Sequence, residues 1–479
     1  MKKLSIKQIA PFLVLTIVAL AAMFVKPEAD YVPGANDPQY SSSDIAWVLI
    51  STALVFLMTP GLAFFYGGMV HLKNVISTMI KSVVAAGVVG VLWVTVGFSL
   101  SFGESIKIGD YGIIGNPSTY AFYEGVKSGA AWPLANTIPL TLFSLFQLMF
   151  AIITPGLVVG AVAERIRFTS YILFIVLFSL LIYAPVAHWS WHPEGFLAKM
   201  GAWDFAGGTV VHITAGCAAL AGALVLKRRK SHIENREIPP ANVPYVLIGT
   251  GLLWFGWFGF NAGSAVGATP LAVNAFGTTN TAAAAAGLAW MFFDVVKGKK
   301  PSVLGFCIGA VVGLVAITPA AGFVGIPQSI IIGVVAAIIS NIAISIKQKS
   351  RLDDTLDVFP CHGIGGMVGM LLTGVFANQL VHGIKDGPHG LFYGNAAFFF
   401  TQLKAMAIVA AYSFSVSWLI FKFINFILPL RVTSEEEELG LDASQHNEKY
   451  LQGTLLVKNG NGKLDETEIE KGTAYTTNF

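Results

Sequence analysis

The chain has 479 residues, 54% of them hydrophobic and only 12% charged, with a formal net charge of +3. A soluble domain carries roughly a quarter of its residues as charged side chains, so an exterior that faces water throughout is excluded and much of it must face lipid. The small net charge gives no case for a nucleic-acid partner, and Cys217, Cys307 and Cys361 stand singly in apolar stretches, without the paired spacing of a zinc site or a disulfide framework.

The N-terminus opens with a basic Met1–Lys7, continues through apolar residues 9–25 and turns polar from Lys26 to Tyr40. This order reads as a signal peptide over 1–29, or as a retained extra helix, followed by an extracellular segment over 30–44. A spanning helix needs about 20 mainly apolar residues. Breaks at charge and Pro/Gly clusters then mark about eleven spans, near 45–70, 76–102, 137–163, 168–188, 204–226, 243–263, 271–296, 302–320, 327–346, 358–381 and 396–428. The predicted fold is therefore an all-α polytopic membrane protein with a transmembrane domain over 45–430.

Basic residues orient it. Arg165 and Arg167, Lys227 to Arg236, Lys297 to Lys300, and Lys347 to Arg351 fall in alternate loops, while the intervening loops carry only Lys107, Lys127, Lys199 and Lys385. Positive loops stay cytoplasmic, so the first of these spans starts outside and the last delivers the C-terminus to the cytoplasm. Spans one to five and six to ten form two halves, and an odd number per half inverts one against the other. The segments DFAGGTVVHITAG at 204–216 and DVFPCHGIGGMVG at 357–369 occupy matching places, each with an acidic residue, a histidine and a glycine-rich run.

Beyond Arg431 the chain turns polar. The acidic run Glu435–Glu438 reads by default as a solvated face or a flexible segment. Asn459, Asn461, Gly462, Asp465 and Glu468 imitate part of a calcium loop, but Val457 stands where its first carboxylate belongs, which argues against a calcium site. No metal or cofactor is expected, and no nucleophile–base pair suggests an enzyme.

Ionisable residues deep in lipid are costly and usually line a functional path. His212 and His362 lie inside apolar spans with no partner nearby in sequence, which favours neutral rings able to bond to one another. Two unrelated core histidines bonded to backbone would also account for them. Asp204 at the start of span five reads both as a helix cap and as a fixed negative charge below an outer vestibule. Aromatics such as Phe146, Phe150, Trp189, Trp191, Trp254, Trp257 and Phe260 cluster near the outer ends. Most suit the core or the interfacial belt, and a subset offers ring faces to a cation.

Taken together, DFAGGTVVHITAG, AERIRF at 163–168, GWFGFNAGSA at 256–265 and Cys361-His362-Gly363 resemble the ammonium transporter (Amt/MEP/Rh) family, most closely its bacterial Amt branch, from about residue 44 to 450. The resemblance implies a homotrimer in the plasma membrane with eleven spans and one narrow hydrophobic pore per subunit. It assigns Phe150 and Phe260 to a stacked gate, Ser264 to a vestibule hydroxyl, His212 and His362 to the pore lining, Asp204 to the carboxylate below the recruitment site, and Trp257 to a pore-facing position. Trp191 matches the vestibule tryptophan, with Trp189 as a rival, because His192-Pro193-Glu194 replaces the usual glycine-rich stretch and puts His192 and Glu194 near the vestibule. The implied substrate is ammonium, with methylammonium as analogue. Residues 431–450 resemble the family's tail, where a PII signalling protein docks, and 451–479 form an added extension. An ammonium sensor signalling through the tail, or an Rh-type gas channel for ammonia or carbon dioxide, are the alternatives, and proton relay versus passage of the neutral gas stays open.

Overall fold

The computed structural model describes residues 6–25, 40–127, 129–236, 238–384 and 387–450, together with two strands, Thr454–Lys458 and Leu464–Glu468. Lys385, most of the polar segment before Tyr40, and Asn459, Asn461 and Gly462 of the calcium-like stretch lie outside these residues.

The first helix, α1 (Ile6–Ala22), covers most of the apolar N-terminal stretch. Each of the eleven predicted spans is helical: α2 (Ser42–Met69), α3 (Leu72–Phe102), α4 (Leu140–Val162), α5 (Phe168–Trp191), α6 (Gly208–Leu226), α7 (Val243–Ala265), α8 (Pro270–Val296), α9 (Val303–Ile317), α10 (Ile326–Gln348), α11 (Phe359–Phe376) and α12 (Ala396–Ile427). Among the described residues, nine of them are long and apolar enough to cross a membrane. The two that fall short do so for different reasons. Helix α8 carries Asn274, Thr278, Thr279, Asn280 and Thr281, and α9 has only 15 residues.

The helix starts are written locally. Ser41, Asn242, Thr269, Ser302 and Asn395 each accept a backbone N–H of the first turn they cap, which satisfies donors that a helix N-terminus leaves unpaired. Proline follows at the first turn of α7, α8 and α10, where its missing N–H costs nothing. In the assembled bundle α2 packs along α7, α8 against α9 and α10, and α12 against α6. A hairpin of β1 (Ser105–Ile108) and β2 (Tyr111–Gly115) lies over the loop after α3.

The acidic run is not a free segment. Thr433 and Glu436 close a capping box on α13 (Ser434–Leu439), and its carboxylates find cations: Glu436 with Arg167 and Glu438 with Lys230, both far away in sequence, and Glu437 with the nearby Arg431. The next helix, α14 (Leu441–His446), supplies Asp442, whose carboxylate accepts the N–H groups of Ile76 and Ser77 in α3. Glu435 and Glu438 keep the solvated face that the charge predicts, while the reading as a flexible segment is corrected for residues 433–446. Charge predicted a surface, and its partners lay in loops that composition alone does not connect.

Candidate functional site

Two turns of unusual width carry the histidines. His212 lies in a π-helical turn, Gly208–Ile213, that opens α6, and His362 lies in another, Phe359–Ile364, that opens α11. Such turns are rare and often mark functional positions. Each begins from a carboxylate eight residues before its histidine, half-buried at Asp204 and buried at Asp354. Asp204 accepts the N–H groups of Gly207 and Gly208 at 2.8 and 2.7 Å and of Thr209 and Val210 at 2.6 and 3.4 Å, and it also takes the Thr209 hydroxyl. Asp354 accepts those of Val358 and Phe359 at 3.0 and 2.7 Å. Three residues after each carboxylate the backbone enters the left-handed region, at Gly207 with φ 114° and at Asp357 with φ 58°. Asp354, not Asp357, therefore stands where Asp204 stands, which corrects the sequence pairing by three residues. Asp204 itself precedes α6 rather than opening it.

The two turns meet because glycine lets them. A Cβ on Gly216 would collide with the backbone of Gly363, so α6 and α11 cross at contact distance beside the histidines. Their rings are buried, with Nδ1 of His212 and Nδ1 of His362 3.4 Å apart. One ring must donate and the other accept. Nε2 of His212 has no hydrogen-bond partner. Its ring lies parallel to Trp257 at 5.4 Å and to Phe260 at 6.0 Å between centroids. Trp257 is held by its Nε1–H, which donates to the Thr318 hydroxyl at 2.9 Å. Around these rings runs a narrow apolar space of about 10 Å³, continued by Leu253, Val311 and Ile153.

Phe150 and Phe260 separate this space from a wider one, their ring centroids 4.3 Å apart. Phe260 faces the histidines, while Phe150 faces a cavity of about 130 Å³ that Trp191 and Ser264 also line. The Ser264 hydroxyl donates to the Phe260 carbonyl at 2.7 Å, which leaves its oxygen lone pairs free to accept. The Trp191 Nε1–H donates to the Asp204 carbonyl at 3.1 Å, and its ring meets Phe150 edge-on at 5.8 Å. Asp204 thus fixes two things at once: its carboxylate builds the first histidine turn and its carbonyl aims Trp191. Trp189 turns elsewhere, bonded to the Ile113 carbonyl and packed on Phe196 and Tyr412.

Sequence reasoning missed Trp132, Phe143, Gln147 and Phe205, which also line the wider cavity. They come from a loop, from the first turns of α4 and from the residue after Asp204, and their types carry no signal by themselves. Gln147 lies one turn from Phe150, and its Oε1 is buried without a partner. His192 sits one layer behind the wall, edge-on to Trp132 at 5.3 Å, and Glu194 is ion-paired with Lys107 at the surface.

At the opposite end the second turn is embedded in charge. Arg229 binds Glu164 at 2.6 Å and Asp353 at 2.8 Å. Burial raises both carboxyls, yet Arg229, with Arg165 beside Asp353 and the His71 N–H on Glu164, holds both below their ordinary range. Next to them burial pushes the Asp354 carboxyl up to about 6, against the nearby Lys347. Among the described residues no three His, Cys, Asp or Glu side chains gather as a metal site would require.

Residues 46–450 match the model of the Ammonium Transporter Family. The chain is 45% identical over 408 residues to a protein named ammonium transporter Amt1 from Archaeoglobus fulgidus, covering 85% of this chain and 99% of that one. The solved structure of Saccharomyces cerevisiae Mep2 superposes with a TM-score of 0.79 at 34% identity, over 90% of this chain and 95% of its own. Another, named Sensor Amt Protein, superposes with a TM-score of 0.76 at 30% identity, over 84% and 98%.

Proposed function

Because this chain belongs to the ammonium transporter family, we propose that it recruits ammonium in the wider cavity, removes a proton near the phenylalanine pair and passes ammonia along the histidine-lined space. The observation that carries this reading is the continuous sequence of an aromatic, hydroxyl-bearing cavity, a closed ring pair and a narrow apolar space with a bonded histidine pair. Ammonium and potassium carry equal charge at similar size, so size cannot separate them. Ammonium donates hydrogen bonds, which the Ser264 oxygen accepts, and it can give up a proton. Phe150 and Trp191 offer ring faces to its charge, each such contact being worth up to about 2 kcal/mol when desolvated. Beyond Phe260 the apolar lining makes an unpaired cation costly, whereas neutral ammonia needs only the imidazole nitrogens. Asp204 contributes a fixed charge near the cavity and the scaffold of the first turn.

In this reading all eleven helices cross the cytoplasmic membrane as two inverted halves and a final α12. The cavity faces outside, the docked tail faces the cytoplasm, and three chains associate. The tail, held by Arg167, Lys230 and Asp442, is the surface on which a PII protein would act. A sensor that reports ammonium through this tail is the second reading, favoured by the likeness to the structure named Sensor Amt Protein.

Ammonium-dependent current from proteoliposomes on a solid-supported membrane tests the proposal. Wild type should give current, and replacement of His212 and His362 together by Leu should reduce it to background. Undiminished current in that double variant would remove the proton relay. Absence of any ammonium or methylammonium uptake in wild type would leave the sensor reading.

A further inference from the structure

Behind the cavity wall lies a polar cluster that the proposed transport does not use. His188 and His192, one turn apart at the end of α5, stack with ring centroids 4.3 Å apart. Ser105 of the β1–β2 hairpin reaches both, with its hydroxyl 2.7 Å from Nε2 of His188 and 3.4 Å from Nδ1 of His192. Nδ1 of His188 lies 3.0 Å from the Ser101 carbonyl and so carries its proton, leaving Nε2 to accept from Ser105. Nδ1 of His192 accepts the Glu194 N–H at 3.1 Å, which places the proton of the neutral ring on Nε2. On the far side of His192 stands Trp132, edge-on at 5.3 Å, and Trp132 lines the cavity while stacking on Phe143 at 5.4 Å. The charged and titratable groups around His192 are His188, Glu194 and Lys107, with Lys199 acting on Glu194.

We propose that Trp132 is a cation-facing wall of the recruitment cavity and that His192, through its own charge, sets how tightly the cavity holds ammonium as external pH changes. This rests on the reading above that the cavity recruits ammonium from outside. With His192 neutral, the Trp132 ring is free to attract a cation in the cavity. Protonation puts an imidazolium against the same ring. It draws on the same ring electrons, repels ammonium across one side-chain layer, and breaks the bond from the Glu194 N–H because Nδ1 can no longer accept. Coulomb repulsion across such a layer at protein-like dielectric corresponds to an affinity loss on the order of several-fold to tenfold. Burial lowers the His192 pKa, Glu194 acts against that and Lys107 with it. The ring is therefore neutral at neutral pH, and its charge arrives only on the acid side of the usual imidazole value.

The test is KM for methylammonium uptake, and KM for ammonium-dependent current, in proteoliposomes with internal pH and membrane potential held fixed. External pH is varied from about 7.5 to about 5, a window that spans ordinary histidine titration and leaves ammonium protonated throughout. Wild-type KM should rise several-fold toward acid pH, with a smaller change in maximal rate. His192→Gln and His192→Phe should flatten the KM profile, the second preserving the ring contacts should the first fail to fold. Trp132→Leu should raise KM at every pH. A wild-type KM that does not change with pH, a profile in both His192 variants parallel to wild type, or a wild-type KM in Trp132→Leu would overturn the proposal while leaving transport intact. Absence of uptake in wild type at every pH is a different result, which overturns the recruitment reading and this inference with it.

Discussion

The turns that carry His212 and His362 share one local design and sit in opposite surroundings. Each starts from a carboxylate eight residues upstream, passes a left-handed residue and widens into a π turn. At the first turn, Asp204 is half-buried beside the wider cavity, satisfied by backbone N–H groups and the Thr209 hydroxyl. At the second, Asp354 is fully buried, its carbonyl accepting from Lys347, and Asp353 before it in the chain shares Arg229 with Glu164. The comparison teaches that the histidine geometry comes from the capped turn itself, since it survives a complete change of environment. What differs is what stands beside the cap: the wider cavity at the first turn, and an ionic cluster at the second.

The largest effect that distinguishes them is expected from Arg229→Leu. It would leave Glu164 and Asp353 buried without their shared cation. Breaking a buried ion pair by removing one partner costs about 3–5 kcal/mol, so the purified protein should unfold at clearly lower temperature or denaturant concentration. A loss below about 1 kcal/mol would mean that the second turn, like the first, holds without outside charge.

A smaller effect concerns pH. The Asp354 carboxyl, pushed up to about 6 by burial, binds a proton more tightly in the folded chain than in the unfolded one. Its charged form therefore subtracts stability at neutral pH, and that loss is relieved as pH falls through about 6 toward the unfolded carboxylate value near ~4. Asp353 behaves oppositely, because its arginines hold it below the ordinary range and its contribution is lost only at stronger acid. Between about pH 7.5 and 5, wild type should gain about 1 kcal/mol relative to Asp354→Asn. An equal stability gap at both pH values would show that Asp354 does not titrate in this window.

Much of this architecture could be read from residues alone, for physical reasons. Helices such as α4 and α10 announce themselves because lipid demands long apolar runs, and His212 and His362 stand out because lipid makes them rare. Asp204 was recognisable from the glycines it caps. Asp354 was overlooked in favour of Asp357 because the nearer acidic residue was paired with the motif, although the spacing of eight from carboxylate to histidine was present in both halves. Trp132, Gln147 and Phe205 were invisible because a cavity wall gathers side chains from separate segments. The docking of Glu436 and Glu438 is hidden for the same reason, since their cations, Arg167 and Lys230, lie in distant loops.

A last variant probes the shared design directly. Gly207 adopts φ 114° between Asp204 and the π turn, and a Cβ there would stand 2.9 Å from Cγ2 of Val211 and 3.5 Å from the Trp191 ring. Asp357 holds the corresponding place at φ 58°, inside the left-handed well that Asp tolerates. Gly207→Ala should therefore cost about 1–2 kcal/mol from the backbone alone. Because Val211 precedes His212 and Trp191 faces the cavity, the same variant should weaken ammonium recruitment, visible as a rise in KM larger than the fall in maximal rate. If stability and KM both stay at wild-type values, the first turn tolerates a side chain where its geometry calls for glycine. The left-handed residue would then be a consequence of the capped turn rather than one of its causes.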